Sequence, residues 1–208
     1  MANDHPTASR ATTTTNTDFA RSVDRAILRE VSDINRRGIR ALCIIATEAP
    51  ADSLPPALEA WRDHWRSLAD EAQIAVADAP YLLFEWRLGA EPLAGATAAW
   101  TAHPEIRRFA RILCHFAWHT SRVRPMAAPL LLGSAAAECA SLAALDPGAL
   151  DALAESGGQR VALRWAHDER HWDKRLAAAQ EADRPALWEN TLAGVQRLAA
   201  TARRPGSG

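Results

Sequence analysis

Two pairs of histidines have a spacing that suits metal binding. His115 and His119, and again His167 and His171, lie four residues apart, so on a helix each pair projects from one face and can hold two positions of a zinc site. The second pair lies in HDERH, which departs from the zincin motif because Asp168 follows the first histidine where that motif has Glu. Exposed polar positions on amphipathic helices are the favoured explanation of both pairs, because no cysteine pair with ligand spacing accompanies them. We expect no bound metal and no cofactor.

A cysteine nucleophile is the other catalytic group to consider. Cys114 is next to His115, but neighbouring residues on a helix point about 100° apart, which makes the pairing poor. The chain has no glycine-rich phosphate loop, no serine nucleophile elbow and no paired carboxylates in a recognisable cleft. These features favour a protein that is not an enzyme. A small metal-dependent enzyme that uses the histidine pairs stays open as a further alternative.

Arginines are concentrated in residues 103–124. This segment contains one acid, Glu105, and five arginines: Arg107, Arg108, Arg111, Arg122 and Arg124. On a helix they would lie opposite an apolar stripe and could contact a phosphate backbone. A solvated face is the alternative, because every basic residue except Lys174 is arginine and the whole chain has a net charge of −1. We predict that these arginines contact DNA in a complex, and that the chain alone binds DNA weakly.

The spacing of apolar residues predicts an all-α protein with two short extended runs. Pro50 ends the first helix, Pro104 starts the central one, and Asp146 caps a helix whose first position is Pro147. The pair Gly157–Gly158 is predicted to end that helix with a positive φ. The predicted elements, in order, are a long helix from Asp18 to about Ile45, helical segments in 57–78, an extended run in 81–88, helices from 104 and within 130–145, an extended run in 158–165 and a last helix in 180–202.

The two extended runs belong to an apparent repeat. VADAPYLLFEWRL (76–88) and LAESGGQRVALRW (153–165) align without a gap at a displacement of 77 residues. We therefore predict two tandem small helical modules, each with a short strand-like run, packed as a pseudo-dimer. Residues 19–88 should superpose on 96–165. The predicted organisation is a disordered leader (1–17), module 1 (18–95), module 2 (96–202) and a loose tail (203–208).

The repeat contains an arginine between bulky apolar residues in each copy, Arg87 and Arg164. We predict a structural role for both, partly buried and bonded to a carboxylate or to backbone carbonyls, with Asp78 and Glu155 as the candidate acids. Of the eight tryptophans, most fit core positions. Trp118 and Trp172 fall on more polar faces and are candidate anchors of a partner interface, although core packing is the favoured explanation for either one. Around Trp172, the basic residues Arg170, Lys174 and Arg175 are interleaved with acids and are predicted to form an ion-paired surface.

The cellular compartment follows from the cysteines and from apolar content. Cys43, Cys114 and Cys139 are odd in number and lack CxxC spacing, which favours a reducing compartment over a disulfide framework. No apolar run approaches about 18 residues, and the N-terminus has no signal-type apolar stretch. We expect a cytoplasmic protein without a membrane partner.

Residues 130–165 resemble the core of the flagellar transcriptional regulator FlhD family. The matching features run from Leu132-Gly133 through Leu142–Leu145 and Leu153–Glu155 to Leu163-Arg164-Trp165, with Pro147 slightly shifted. The first copy is similar at Asp33-Ile34-Asn35, at 76–78 and at Trp86-Arg87-Leu88. A usual family member is one module of about half this length. Its cysteine in the strand-like run is replaced here by Phe84 and Val161.

The resemblance implies a helical subunit that dimerises and joins an FlhC-like partner in a DNA-binding activator of transcription. DNA would be bound through the complex, and homo-oligomers are an option. An interaction protein that does not bind DNA, such as a secretion-system accessory or chaperone, is the alternative from another class.

Overall fold

The computed structural model describes the backbone of residues 11–87 and 97–202 and the side chains of residues 25–87 and 97–200. These residues form helices and one two-stranded sheet, which confirms the all-α prediction. The first half contains α1 (Ala11–Glu48), α2 (Pro56–Glu59), α3 (Arg62–Ser67), α4 (Asp70–Ala77) and β1 (Phe84–Trp86). The second half contains α5 (Ala98–Ala102), α6 (Pro104–Val123), α7 (Ala128–Leu132), α8 (Ala136–Ala143), α9 (Pro147–Glu155), a 3₁₀ helix (Gly157–Gln159), β2 (Val161–Leu163), α10 (Glu169–Gln180) and α11 (Arg184–Ala202).

The ends of the chain differ from the prediction where they can be compared. Helix α1 is described from Ala11, ahead of the helix start predicted at Asp18. Residues 1–10, the predicted module boundary at 95–96, Leu88 and the predicted tail lie outside the described residues. The last helix, predicted in 180–202, is confirmed as α11, whereas α10 before it was not among the predicted elements.

The two long helices α1 and α6 pack against each other at the centre of the fold. Their apolar stripes are buried as predicted. In α1 the buried stripe includes Ile27, Val31, Ile34, Leu42 and Ile45, and in α6 it includes Phe109, Leu113, Phe116 and Thr120. Pro104 occupies the first turn of α6, where the missing N–H costs nothing. Burial of these two stripes therefore fixes which helix faces remain for solvent or a partner.

Gly38 allows the close approach at this helix crossing. A Cβ added at Gly38 would lie 2.6 Å from Cζ of Phe109 and closer still to the ring of Phe84. Those two rings are buried and meet edge to face, with their centroids 4.7 Å apart. A Cβ at position 38 would therefore require one or both of these buried rings to shift.

Gly38→Ala is expected to lower the free energy of unfolding by about 2 kcal/mol through overpacking, although alanine is the better helix former. Urea unfolding measures this. Gly148→Ala is the matched control, because a Cβ there meets only the Asp146 side chain, at 3.3 Å, and the change should stay within about 0.5 kcal/mol. Wild-type stability of Gly38→Ala would contradict the tight crossing.

The two extended runs pair with each other as antiparallel strands. Phe84 pairs with Leu163, Glu85 with Ala162, and Trp86 with Val161. Backbone bonds from Arg87 N to Arg160 O (2.9 Å) and from Arg164 N to Leu83 O (2.8 Å) flank the ladder. Glu85 therefore pairs with Ala162, the residue 77 positions later in the chain. The two flanking pairs, Phe84 with Leu163 and Trp86 with Val161, are arranged symmetrically about this central pair. Two strands related by a two-fold axis and displaced by 77 residues would have this register.

The turns around α9 bear out one prediction and correct another. Asp146 caps α9, since its Oδ1 accepts a hydrogen bond from Ala149 N at 2.8 Å, as predicted. Gly157 and Gly158 form a 3₁₀ turn, and Gly133 is the glycine with positive φ in the described residues. The glycine pair is needed for space: a Cβ at Gly157 would lie 2.9 Å from the Trp86 ring, and one at Gly158 would lie 2.6 Å from Thr101 O.

Candidate functional site

Helix α6 exposes three of the predicted DNA-backbone arginines. Arg107, Arg108 and Arg111 are exposed on its N-terminal half, opposite the buried stripe. The helix start is fixed by His103, whose Nδ1 accepts a hydrogen bond from Glu105 N at 3.3 Å. The His103 Nε2 atom also lies 3.6 Å from Oε2 of Glu48 at the end of α1. These contacts place the arginines beside α1.

Helix α1 adds arginines that the sequence analysis did not single out. Arg37 and Arg40 are exposed and line a groove of about 230 Å³ together with Arg108 of α6. Glu105 is the one acid in its lining. We call the five residues Arg37, Arg40, Arg107, Arg108 and Arg111 the basic face. The sequence already places Arg37 and Arg40 between apolar-stripe positions of α1. Only the packing of α1 against α6 shows that these two arginines lie beside Arg108.

The basic face is free of ion pairs within the described residues. No side-chain carboxylate there lies within 4.0 Å of its five guanidinium groups. The neighbouring Arg36 differs, because its Nη1 lies 3.9 Å from Asp33 Oδ1. Exposed guanidinium groups with bulk water as their main partner keep their hydrogen-bond donors available for phosphate oxygens.

Arg122 and Arg124, the other two predicted arginines, lie at the far end of α6. At 1.5 Å rise per residue this end is about 20 Å from Arg108. The Arg122 guanidinium lies over the Trp118 ring, 4.7 Å from its centroid. Arg124 is half-buried, and its backbone N–H bonds to Thr120 O at 2.8 Å as the helix ends. The structure therefore separates these two residues from the basic face.

The four histidines do not form one site. His115 and His119 are exposed on α6, with His115 Nε2 3.7 Å from Asp151 Oδ1. His167 is exposed before α10 begins, whereas His171 is buried inside that helix, so the second pair does not share a helix face. In the described part of the chain no three His, Cys, Asp or Glu side chains gather as a metal site would require. In HDERH, Asp168 is the N-cap of α10 and accepts a hydrogen bond from His171 N at 3.0 Å, so His167 lies outside the helix that contains His171.

The three cysteines are buried and have no disulfide partner. Burial raises the pKa of the Cys43 and Cys114 thiols to about 12 and also raises the pKa of Cys139. A thiol with so high a pKa supplies almost no thiolate near neutral pH. Cys114 also faces the core while His115 faces solvent, so this pair has no nucleophile–base geometry.

Arg164 is structural, as predicted, but its acid is a different residue. It is 1% exposed, and its Nη2 donates to Leu131 O at 3.0 Å. Its Nε lies 3.9 Å from Oε1 of Glu85, on the opposite strand, and Glu155 is exposed elsewhere. Burial raises the pKa of Glu85, and the Arg164 charge partly opposes that rise. This ion pair thus joins the two strands.

The prediction for Arg87 is wrong. Its side chain is exposed, and the contacts at this position are made by the backbone. Arg87 O accepts from Nη1 of Arg160 at 3.2 Å, and Asp78, its predicted partner, offers a carbonyl to Arg175 at 3.0 Å. The difference arises where the two strands end. Arg164, which follows β2, extends beneath α7, whereas Arg87, which follows β1, extends into solvent.

Trp172 is not an interface residue. It is 0% exposed, its Nε1 donates to Arg164 O at 2.9 Å, and its ring centroid lies 5.8 Å from that of Trp65. The other predicted anchor, Trp118, is half-buried and donates to Leu145 O at 3.1 Å. The most exposed tryptophan in the described residues is Trp188 on α11, at 63%.

Arg175 is buried, which contradicts the prediction that it forms part of an ion-paired surface. It is 0% exposed and donates from Nε to Val76 O (2.8 Å) and from Nη2 to Asp78 O (3.0 Å) at the C-terminal end of α4. Its Nη1 bonds to Asn190 Oδ1 at 3.1 Å and to Thr191 Oγ1 at 3.2 Å on α11. The side chain therefore ties α10 to two other helices.

Comparison with known proteins finds no matching family model, no matching curated protein and no matching solved structure. No helix within the described residues is long and apolar enough to cross a membrane. The case for function therefore depends on the geometry of the basic face and of the surfaces around it.

Proposed function

We propose that this chain is a non-catalytic, FlhD-like subunit of a transcriptional regulator, and that it acts on DNA together with a DNA-binding partner. The observation that carries the proposal is the basic face, in which two packed helices present five exposed arginines, three of which (Arg37, Arg40 and Arg108) line one groove. Contacts of this kind position a protein on the phosphate backbone and carry no base sequence information. Base recognition is therefore assigned to the partner.

The charge of the whole chain explains why a partner is needed. The net charge is −1, so the attraction of the basic face for DNA is opposed by acids elsewhere. Binding of the chain alone should be weak and lost at moderate salt. A basic partner that holds the face against the duplex converts these weak contacts into part of a cooperative footprint.

The symmetric strand pairing supports the same proposal. An antiparallel pair centred on Glu85 and Ala162 joins the two halves of the chain, as expected if one chain contains both modules of an FlhD-like dimer. The ion pair between Arg164 and Glu85 adds a link across the same junction. If both modules are in one chain, the partner-binding surfaces of the two modules are always present in equal numbers.

The salt dependence of DNA binding by the complex tests the proposal. Arg107→Ala/Arg108→Ala/Arg111→Ala is expected to make the slope of log K against log salt shallower by about 1 per arginine, similarly on all DNA sequences. Adding Arg37→Ala and Arg40→Ala should reduce the slope further by the same amount per residue. The matched control is Arg170→Ala/Lys174→Ala/Arg184→Ala, which removes the same charge from exposed positions of α10 and α11 and should leave the slope unchanged.

Equal slopes for the wild type and the basic-face variant would show that this face is only solvated. The second candidate, an interaction protein that does not bind DNA, would then be favoured. It has its own observation: Trp188 is 63% exposed and lines a groove with the exposed Leu28 and Ile74. Loss of a protein companion on Trp188→Ala, with no DNA binding in any form of the complex, would support that candidate.

A further inference from the structure

The second half of the chain leaves open a surface whose counterpart in the first half is covered by α10. The 77-residue displacement that relates β1 to β2 also relates the start of α4 at Asp70 to the start of α9 at Pro147. By the same displacement, the α3–α4 surface of the first half corresponds to the α8–α9 surface of the second. The two surfaces can therefore be compared position by position.

The α3–α4 surface of the first half is covered by α10 from the second half. The Trp172 ring lies 6.4 Å from that of Trp61 and 5.8 Å from that of Trp65. Trp61 Nε1 also donates to Asp173 Oδ1 at 2.6 Å, and Gln180 of α10 bonds to Ser67 at 3.2 Å. A helix with one apolar face and polar flanks thus lies across α3 and α4.

In the second half, the corresponding positions line an open groove of about 660 Å³ between α8 and α9. Its floor is apolar, and several of its small side chains are exposed. We call it the α8–α9 groove; its lining is Ala137, Glu138, Ser141, Leu142, Leu145, Ala149, Ala152 and Leu153. Leu145 corresponds to the buried Leu68 and Leu153 to the buried Val76, yet both leucines are only half-buried.

The charge around the groove specifies what fits it. From Pro125 to Gln159 the sequence contains four acids and no Lys or Arg; the acids are Glu138, Asp146, Asp151 and Glu155. Glu138 is the one charged residue in the lining. An arginine like Arg175 is not required at the end of α9, because Ser156 Oγ already donates to Leu153 O at 2.9 Å. A groove with an apolar floor, one carboxylate in its lining and no Lys or Arg there suits a helix with an apolar face and basic flanks.

We propose that the α8–α9 groove binds a helix of a partner protein, with apolar residues on the floor and Lys or Arg side chains toward Glu138. The partner helix takes the place that α10 takes on α3–α4. Trp118, predicted from the sequence as an interface residue, borders this site through its bond to Leu145 O. The proposal does not depend on DNA contact by the basic face, so it can fail or succeed independently of the salt-slope test.

The test uses the full chain and two fluorescent model helices of about 18 residues, long enough to hold helical structure on binding. One has leucines on one face and lysines on the other, and its match has glutamates in place of the lysines. We expect the lysine helix to bind with a clear change in anisotropy and the glutamate helix to bind at least about tenfold more weakly.

Point variants locate the binding. Ala152→Arg and, separately, Ser141→Arg place charge and bulk in the groove and should weaken binding of the lysine helix by about tenfold or more. Ala140→Arg, an equally exposed position of α8 outside the groove, should leave binding unchanged. All three positions are exposed, so circular dichroism should show an unchanged fold.

Three results would overturn the proposal. One is absence of binding by the lysine helix, or equal binding by both helices. Another is a loss of affinity in Ala140→Arg that matches the loss in the groove variants. The third is self-association of the unmodified chain in sedimentation that Ala152→Arg abolishes, because the occupant would then be a second copy of this chain.

Discussion

Arg175→Met is expected to lower the free energy of unfolding by about 4 kcal/mol. The guanidinium is fully buried and bonds to Val76 O, Asp78 O, Asn190 Oδ1 and Thr191 Oγ1. Methionine has similar length but no donor, so four acceptors, three of them buried, lose their partner and the end of α4 loses a cation near its negative dipole. Relief of the desolvation of the charge offsets only part of this loss. Chemical denaturation followed by tryptophan fluorescence measures the change.

Two further variants make the result specific to the hydrogen-bond geometry. Arg175→Lys should recover little of the stability, because one ammonium group cannot reach acceptors on two helices as the planar guanidinium does. Lys174→Met, on the exposed side of the same helix, should change stability by no more than about 0.5 kcal/mol. Wild-type stability of Arg175→Met would contradict the role assigned to this residue.

Stability is expected to fall by about 3 kcal/mol as the pH drops from about 6.5 to about 4, through His171 alone. Burial, reinforced by the charges of Arg175 and Arg197, lowers the pKa of His171 to about 4, while Asp168 partly opposes this shift. In that pH window the unfolded chain binds a proton on this histidine and the folded chain does not. Protonation therefore favours unfolding, and the stability contributed by neutral His171 is fully present only above pH 6.5.

The pH effect is measured as a difference between variants. Unfolding free energies of the wild type and His171→Gln are compared at a pH of about 7 and about 4.5. The variant should start from a lower stability, because it loses the edge contact with Trp165 (4.9 Å between ring centroids), but it should lose less on acidification. His167→Gln, exposed before α10, should keep the wild-type dependence. An identical pH dependence in wild type and His171→Gln would contradict the assignment.

The central part of the fold could be predicted because its signals are local. The apolar stripe of α1, the Pro104 start of α6 and the Asp146 cap each depend on residues within a few turns of one another. The positions of the strand-like runs followed from the sequence repeat. Their pairing with each other is a long-range contact, and only the structure supplies it.

The errors arise where burial depends on tertiary packing. His171, Trp172 and Arg175 lie among charged neighbours, so their segment resembles a solvated surface until α10 is placed between α4 and α11. Arg87 and Arg164 have similar local sequences but opposite exposure, because their strands leave the ladder in different surroundings. The α6 half of the basic face could be predicted from charge alone, whereas its α1 half required the packing of the two helices.

Purification of the tagged full chain from its native host at low salt tests whether the chain acts on DNA together with a partner protein. We expect a basic companion protein to co-purify in stoichiometric amount. DNA fragments should remain bound to the complex at low salt and dissociate as the salt concentration is raised. The basic-face variant Arg107→Ala/Arg108→Ala/Arg111→Ala should keep the companion but release the DNA at lower salt. Recovery of the chain with a companion but without DNA at any salt concentration would contradict a role in transcription.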